Sequence, residues 1–352
     1  MKTVFVVGAG ASCEFGFPDG NRLKEEIGNK LGYGSSWGGD RVLMDLAQGF
    51  AQESGGEYEN ELHKVELVGH EIKKSLYLNK SIDHLIHRHR DNPLVEYIAK
   101  ASIVSAICNY EAKSPLVSNK QKGSSPGGYL EAVKGSWLAY AYQNIVHTCS
   151  LNELPDRFQQ VTFVVFNYDR CVEKFFFESL KMDYGIANDT ACEMLSYLTI
   201  IHPYGKVGDL PGMIVGNQGR EFGSDVHSYA EAKQLVAEIK TFTEGADQKS
   251  DTPKRMHLAI EESERMVFLG FSFLDLNMQL LGEPMTRNRE IFATTYGVSK
   301  YNESKILSQL ATFSDVLNVQ PQRCVHLKNL KCADFFREFE KGLGFPYTEL
   351  CR

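Results

Sequence analysis

The feature that most constrains this chain is the β-branched and apolar run Thr3 to Val7, which ends at once in Gly8-Ala9-Gly10-Ala11-Ser12. A short apolar run without polar alternation fits a strand covered on both faces. Glycines directly after it let the backbone turn sharply and let another group approach where a Cβ would stand. Leu23, Ile27 and Leu31 then recur at helical spacing after Gly20. Strand, tight turn and helix open an α/β fold.

Strand signals return far downstream. Gln160 to Phe166 is a continuous β-branched and aromatic run, followed by a helical pattern from Arg170 to Lys181. Leu198 to Ile201, Arg265 to Leu269, Glu290 to Tyr296 and Gln322 to Leu327 read as further strands. Gly216 to Lys254 reads as a helix plus flexible loop. Between them lie helical patterns at Arg41 to Gln52, Ser81 to His89, Leu94 to Tyr110, and Tyr129 to Cys149 with a break at Gly135. Gly32 to Gly39 and Glu53 to Tyr58 are rich in Gly, Ser and Glu and mark connections. The expected architecture is α/β, a Rossmann-like parallel sheet flanked by helices, with a mostly helical insertion. Residues 1–34 and 151–352 form the Rossmann-like nucleotide-binding domain in this reading, and residues 35–150 the insertion. At 352 residues the chain exceeds what one core usually fills, which agrees with such a partition.

A net charge of -7 gives no overall attraction to nucleic acid or anionic lipid, so a small anionic ligand needs a dedicated pocket. The apolar start is too short for a secretory leader, and no apolar run reaches the roughly 18 residues of a membrane span. A cytoplasmic protein is expected. Cys13, Cys108, Cys149, Cys171, Cys192, Cys324, Cys332 and Cys351 are scattered, with no Cys-x-x-Cys pair. Zinc ribbons need such knuckles, so reduced, mostly buried thiols and no zinc are expected.

Four motifs sit just after expected strands. Gly8 to Ser12 suits a phosphate approaching backbone amides at a helix start, but only part of G-x-G-x-x-G is present, and a plain tight turn is the alternative. No acidic residue clearly ends a second strand about 20 residues on, which argues against an ordinary dehydrogenase unit. Phe166-Asn167-Tyr168-Asp169 places polar groups at the carboxyl edge of a strand, where ligands bind in open parallel sheets. Asp169 capping the next helix and Asn167 serving a turn are the alternatives. Ile201-His202-Pro203-Tyr204-Gly205 offers a histidine able to act as a base near neutral pH, against the commoner structural histidine. Leu269-Gly270-Phe271-Ser272 with Asp275 repeats the pattern of strand end, small residue, hydroxyl and carboxylate, and a capped turn is its alternative.

In order and composition these motifs resemble the sirtuin superfamily, especially the sirtuin-like NAD-hydrolysing effectors of bacterial antiphage defence. Gly8 to Ser12 with Gly16-Phe17-Pro18-Asp19 is similar to the family's GAG-x-S…G-x-P-D segment, and Phe166-Asn167-Tyr168-Asp169 to its Q-N-x-D. His202 resembles the catalytic histidine, Gly270-Phe271-Ser272 the later G-x-S loop, and Ser81-Ile82-Asp83 a short motif of the defence branch's helical insert. The sequence departs from the pattern in lacking zinc knuckles, in Phe166 for the glutamine, and in Pro203-Tyr204-Gly205 after the histidine. Acyl-lysine peptide binding is put in doubt.

The resemblance implies NAD as a substrate, cleaved to ADP-ribose and nicotinamide. It implies that Asn167 contacts the ribose and positions a water, Asp169 orients the nicotinamide end, and His202 deprotonates a ribose hydroxyl or the water. Gly8, Ala9, Gly10, Ala11 and Ser12, with Pro18 and Asp19, are the implied diphosphate segment; Gly270, Ser272 and Asp275 lie toward the adenosine half. A catalytically silent NAD or ADP-ribose sensor, and a deacylase or ADP-ribosyltransferase, are the rival readings. Relatives pair with a HerA-like ATPase or carry sensing domains, so a homo-oligomer or a separate partner is the expected gate. The basic run His87-Arg88-His89-Arg90 reads as a solvated helix end, with contact to such a partner or to nucleic acid as the alternative.

Overall fold

A computed structural model describes residues 1–31, 37–117, 127–214, 218–247, 250–282, 289–314 and 324–345. The residue-34 boundary, Cys351 and part of the Gly216 to Lys254 stretch lie outside the described residues.

Six strands form one sheet: β1 Thr3–Val7, β2 Val161–Val165, β3 Thr199–Ile201, β4 Arg265–Leu269, β5 Glu290–Thr294 and β6 Val325–Lys328. Every pairing is parallel, and the order is β3-β2-β1-β4-β5-β6. All residues of β1 and β4 are buried, Thr3 and Arg265 included, and the apolar runs Val4 to Val7 and Met266 to Leu269 are those of strands covered on both faces. In register, Val7 pairs Val165 on one side and Leu269 on the other, so β1, β2 and β4 end level. The chain winds outward from β1 through β2 to β3, then returns to β4 on the other side of β1. This reversal puts the switch point of the sheet between β1 and β4, and the carboxyl edge there is the standard ligand position in a doubly wound sheet. The fold is a Rossmann-like α/β sheet.

Between β1 and β2 the described elements are all helical. They include Gly20–Lys30, Arg41–Glu53, Tyr58–Leu76, Ile82–Arg88, Pro93–Lys113, Gly127–Val133 and Trp137–Val146. Pro93–Lys113 starts with Asn92 accepting from the amides of Leu94 and Val95 and carries proline at its first turn, where no N–H is needed. Its residues 98–108 are all buried, so it forms the spine of the helical layer. Tyr58–Leu76 is an addition to the sequence reading, and the Gly216 to Lys254 stretch holds two helices, Tyr229–Glu238 and Phe242–Gly245, before the helix Asp251–Glu262 begins.

Aromatic residues tie the layers together. Phe5 of β1 stacks on Phe163 of β2 at 4.9 Å and on Phe336 at 6.4 Å, and Trp137 stacks on the same Phe336. The Trp137 indole N–H donates to the Ala11 carbonyl at 2.8 Å, anchoring the turn after β1 to the helical layer. Glu14 fixes it from the other side, accepting from the amides of Trp137 and Ala333, both at 2.9 Å. Burial pushes the Glu14 carboxyl above its ordinary pKa even though those amide bonds favour the ion. Among the described residues, no helix is long and apolar enough to cross a membrane.

Candidate functional site

The turn after β1 and the turn after β4 grip each other. Gly8 N–H donates to the Leu269 carbonyl at 2.9 Å and Gly10 N–H to the Gly270 carbonyl at 3.0 Å, while Ala11 N–H closes onto the Gly8 carbonyl at 3.0 Å. A Cβ on Gly8 would stand 2.5 Å from the Gly270 oxygen, and one on Gly270, whose φ is +55°, 2.1 Å from the Ala11 nitrogen. These glycines are therefore demanded by the approach of two protein backbones. The amides of Gly8, Gly10 and Ala11 are spoken for within the protein, which narrows the expected cradle to the Ala9 amide and the Ser12 side chain at the two ends of the short helix Ala9–Ser12. Pro18 is buried, and Asp19 caps the helix Gly20–Lys30 by accepting from the amides of Asn21 and Arg22. That is a folding role.

Asn167 and Asp169 stand just beyond β2. The Asn167 amide donates to the Gly8 carbonyl at 3.1 Å and to the Ser12 hydroxyl at 2.8 Å, joining β2 to the first turn. Its Oδ1 is buried with no hydrogen-bond partner among the described residues. Such an atom costs free energy until a donor reaches it. Asp169 is buried and accepts from the Cys171 amide at 3.1 Å. Burial raises its pKa above the ordinary carboxylate range, against the opposing hydrogen bonds from Cys171 and Ser12 and the charge of His202. Asn167, Ser12 and Asp169 thus form one connected set.

His202 follows β3, and both ring nitrogens are engaged. Nδ1 lies 3.1 Å from the Asn167 carbonyl oxygen and Nε2 3.0 Å from Glu173 Oε1. Both partners lie within the protein, so neither ring nitrogen is left for a ligand. The base role implied for His202 would require the ring to leave one of these partners. Glu173 Oε1 also accepts from Lys206 at 2.8 Å, and Lys206 reaches Asp209 at 3.1 Å. Burial alone would raise the Glu173 pKa; the charges of Lys206 and His202 outweigh it and hold the carboxyl well below the usual range.

The next residue along, Arg170, is fully buried. It forks onto Glu111 with Nε at 2.9 Å and Nη2 at 2.7 Å, and Arg220 adds a contact to the same carboxylate at 2.7 Å. Arg170 also donates to the carbonyls of Asp209 and Arg220, so the long helix, the β2 turn and the loop after β3 share one knot. Sequence reasoning missed Glu111, Glu173 and Lys206, because charged residues on helix and loop patterns read as solvated.

The β4 turn contributes less chemistry. Phe166 packs edge-on against Phe271 at 5.0 Å and Tyr204 at 5.9 Å, an apolar contact beside Asn167 in sequence. Phe273 sits at a φ of +54°, a strained conformation for a bulky residue in this turn. Ser272 and Asp275 are exposed, with Asp275 paired to Lys80 at 3.3 Å and Ser272 touched by Asn277 at 3.5 Å. Asp83, from the helical layer, accepts a hydrogen bond from the Tyr168 hydroxyl. The sequence-expected residues thus divide: Gly8, Ser12, Asn167, Asp169, His202 and Gly270 are joined by hydrogen bonds, whereas Ser272 and Asp275 lie on the rim and Asp19 serves a helix.

The thiols are more varied than expected: Cys108, Cys171 and Cys332 are buried, Cys149, Cys192 and Cys324 partly so, and Cys13 is exposed. No group of His, Cys, Asp and Glu able to hold a metal ion occurs among the described residues. No protein-family model matches the chain, and no curated protein matches it.

Proposed function

We propose that the protein is a sirtuin-like NAD hydrolase that cleaves NAD to ADP-ribose and nicotinamide, as a defence effector gated by assembly or by a partner such as a HerA-like ATPase. The observation that carries this reading is the bonded set Ser12, Asn167, Asp169 and His202 at the carboxyl edge of β1, β2 and β3, with one buried acceptor, Asn167 Oδ1, left for a donor. A ribose hydroxyl is such a donor.

In the proposed reaction the bond between the ribose anomeric carbon and the nicotinamide nitrogen breaks, and its electron pair leaves with nicotinamide as a neutral base. Water adds to the oxocarbenium-like carbon and loses a proton to solvent. Little acid catalysis is needed, since the departing ring is already cationic. The protein's work is to hold the ribose, to limit water, and to place negative charge near the developing cation. Asn167 Oδ1 holds the ribose. The Asp169 carboxylate, in its ionised form, supplies the charge. Ala9 and Ser12 face the diphosphate at a helix start, where N–H groups favour anions. Purified chain incubated with NAD, alone and with candidate activators, tests the reading, and Asn167→Ala should reduce turnover by about 10²- to 10³-fold. Absence of cleavage under every activated condition sinks it.

One observation favours a second reading, a silent sensor of NAD or ADP-ribose: both His202 ring nitrogens are already engaged, one at the Asn167 carbonyl oxygen and one at Glu173. Calorimetry with recovery of the ligand separates the two. Tight binding of unchanged NAD supports the sensor, and nicotinamide release supports the enzyme.

A further inference from the structure

The carboxylate of Glu173 has no role in the proposed reaction, yet it is buried within the site. It lies on the helix Cys171–Tyr184, and its Oε1 takes hydrogen bonds from both His202 and Lys206, while its Oε2 is buried with no hydrogen-bond partner among the described residues. Burying a carboxylate is costly, and one placed for stability alone would use both oxygens. Here both charge-assisted bonds go to a single oxygen, on the side facing the histidine.

We infer that Glu173, backed by Lys206, is a positioning residue: it anchors His202 Nε2 so that Nδ1 holds the Asn167 carbonyl, which keeps the Asn167 amide on Gly8 and Ser12. The chain of contacts is continuous. Lys206 to Glu173 is 2.8 Å, Glu173 to His202 3.0 Å, His202 to Asn167 3.1 Å, and Asn167 to Ser12 2.8 Å. It runs from the loop after β3, through the helix after β2, to the turn after β1, so it fixes three turns against one another. His202 is then the middle link of a clamp, held at both ring nitrogens.

This inference deepens the NAD-cleaving reading, and it is tested by a readout that does not need turnover. In ¹⁵N-labelled full-length protein, long-range proton–nitrogen spectra resolve the ring of His202, assigned by its loss in His202→Gln. In Glu173→Gln the His202 ring signals should move from their parent positions, as expected when Nε2 loses its carboxylate partner, and Lys206→Met should shift them in the same direction by less. Lys206 is partly exposed, so its variant guards against misfolding of the buried one. Where the parent cleaves NAD, Glu173→Gln should reduce kcat by roughly 10²-fold with KM changed less than about threefold, as expected when a distant change misplaces the reacting geometry. Ring signals identical to the parent in both variants overturn the inference, whatever happens to kcat. A rise in KM with kcat unchanged also overturns it, because Glu173 would then touch substrate. If the parent never cleaves NAD, the proposed activity fails while the ring spectra still decide this point.

Discussion

The turns after β1 and β4 and the turns after β2 and β3 meet at the same edge of the sheet, but they are joined by different means. Between β1 and β4 the joint is backbone on backbone: Gly8 bonds to Leu269, Gly10 to Gly270, and no side chain could enter the gap. Between β2 and β3 it is side chain on side chain, through Asn167, His202, Glu173 and Lys206, with Arg170 and Glu111 beneath. The first joint is specified by atoms that are absent, the second by charges that must be matched. A glycine signature suggestive of phosphate binding is thus already required by the fold, and the chemistry has to be sought in the second joint.

The largest effect should come from the base of that second joint. Glu111→Ala leaves the guanidinium groups of Arg170 and Arg220 buried without their carboxylate, and losing one partner of a buried ion pair costs about 3–5 kcal/mol. Urea unfolding should show this as a lower midpoint. A loss below about 1 kcal/mol would mean that the knot is solvated and that the joints differ less than the geometry indicates.

The first joint offers the next largest effect. Gly270→Ala adds a Cβ 2.1 Å from the Ala11 nitrogen at a positive φ, so backbone must move and about 2–3 kcal/mol should be lost. Gly20→Ala is the control: nothing lies within 4 Å of its Cβ, and stability should hold or rise by roughly 0.5 kcal/mol. Equal effects at both positions would remove the steric account of the turn.

The two joints also differ in how far they could be read in advance. The limits Thr3–Val7 and Arg265–Leu269 were legible to the residue because a short apolar run follows the first residue of each strand and glycine follows the last. Asn167, Asp169 and His202 were legible as strand-end polar groups, which topology then gathered. The glycines were legible as a turn, but their reason was not, since the obstructing backbone is more than 250 residues away in sequence. Tyr58–Leu76 escaped because its buried face is Val65, Gly69, Ile72 and Leu76, and the glycine in that stripe reads as a break. In the fold Gly69 is where the Trp37 ring packs, 2.6 Å from the position of a Cβ. Glu173 and Lys206 were invisible for another reason: nothing local distinguishes a charge that will be buried against a partner from one that stays in water.

The smallest effect is the most discriminating, because two carboxylates of the second joint should respond to pH with opposite signs. Burial holds the Asp169 pKa above its ordinary value of 3.8, so its favourable contribution is present below that value and is lost as pH rises through the folded pKa. Asp169→Asn should therefore be more stable than the parent near neutral pH, with the gap closing on acidification. Glu173 goes the other way: although burial opposes it, Lys206 and His202 hold its pKa below the ordinary 4.5, so its contribution is present above that value and is lost as pH falls. Glu173→Gln should be less stable than the parent near neutral pH, and that gap too should close in acid. Urea midpoints of the three proteins at about pH 7, about pH 4 and about pH 2 measure both trends, the Asp169 gap closing by about pH 4 and the Glu173 gap only below it. Destabilisation by both substitutions at neutral pH would show that Asp169 is held as an ion by its neighbours, and the contrast between a carboxylate kept charged and one pressed toward neutrality would fail.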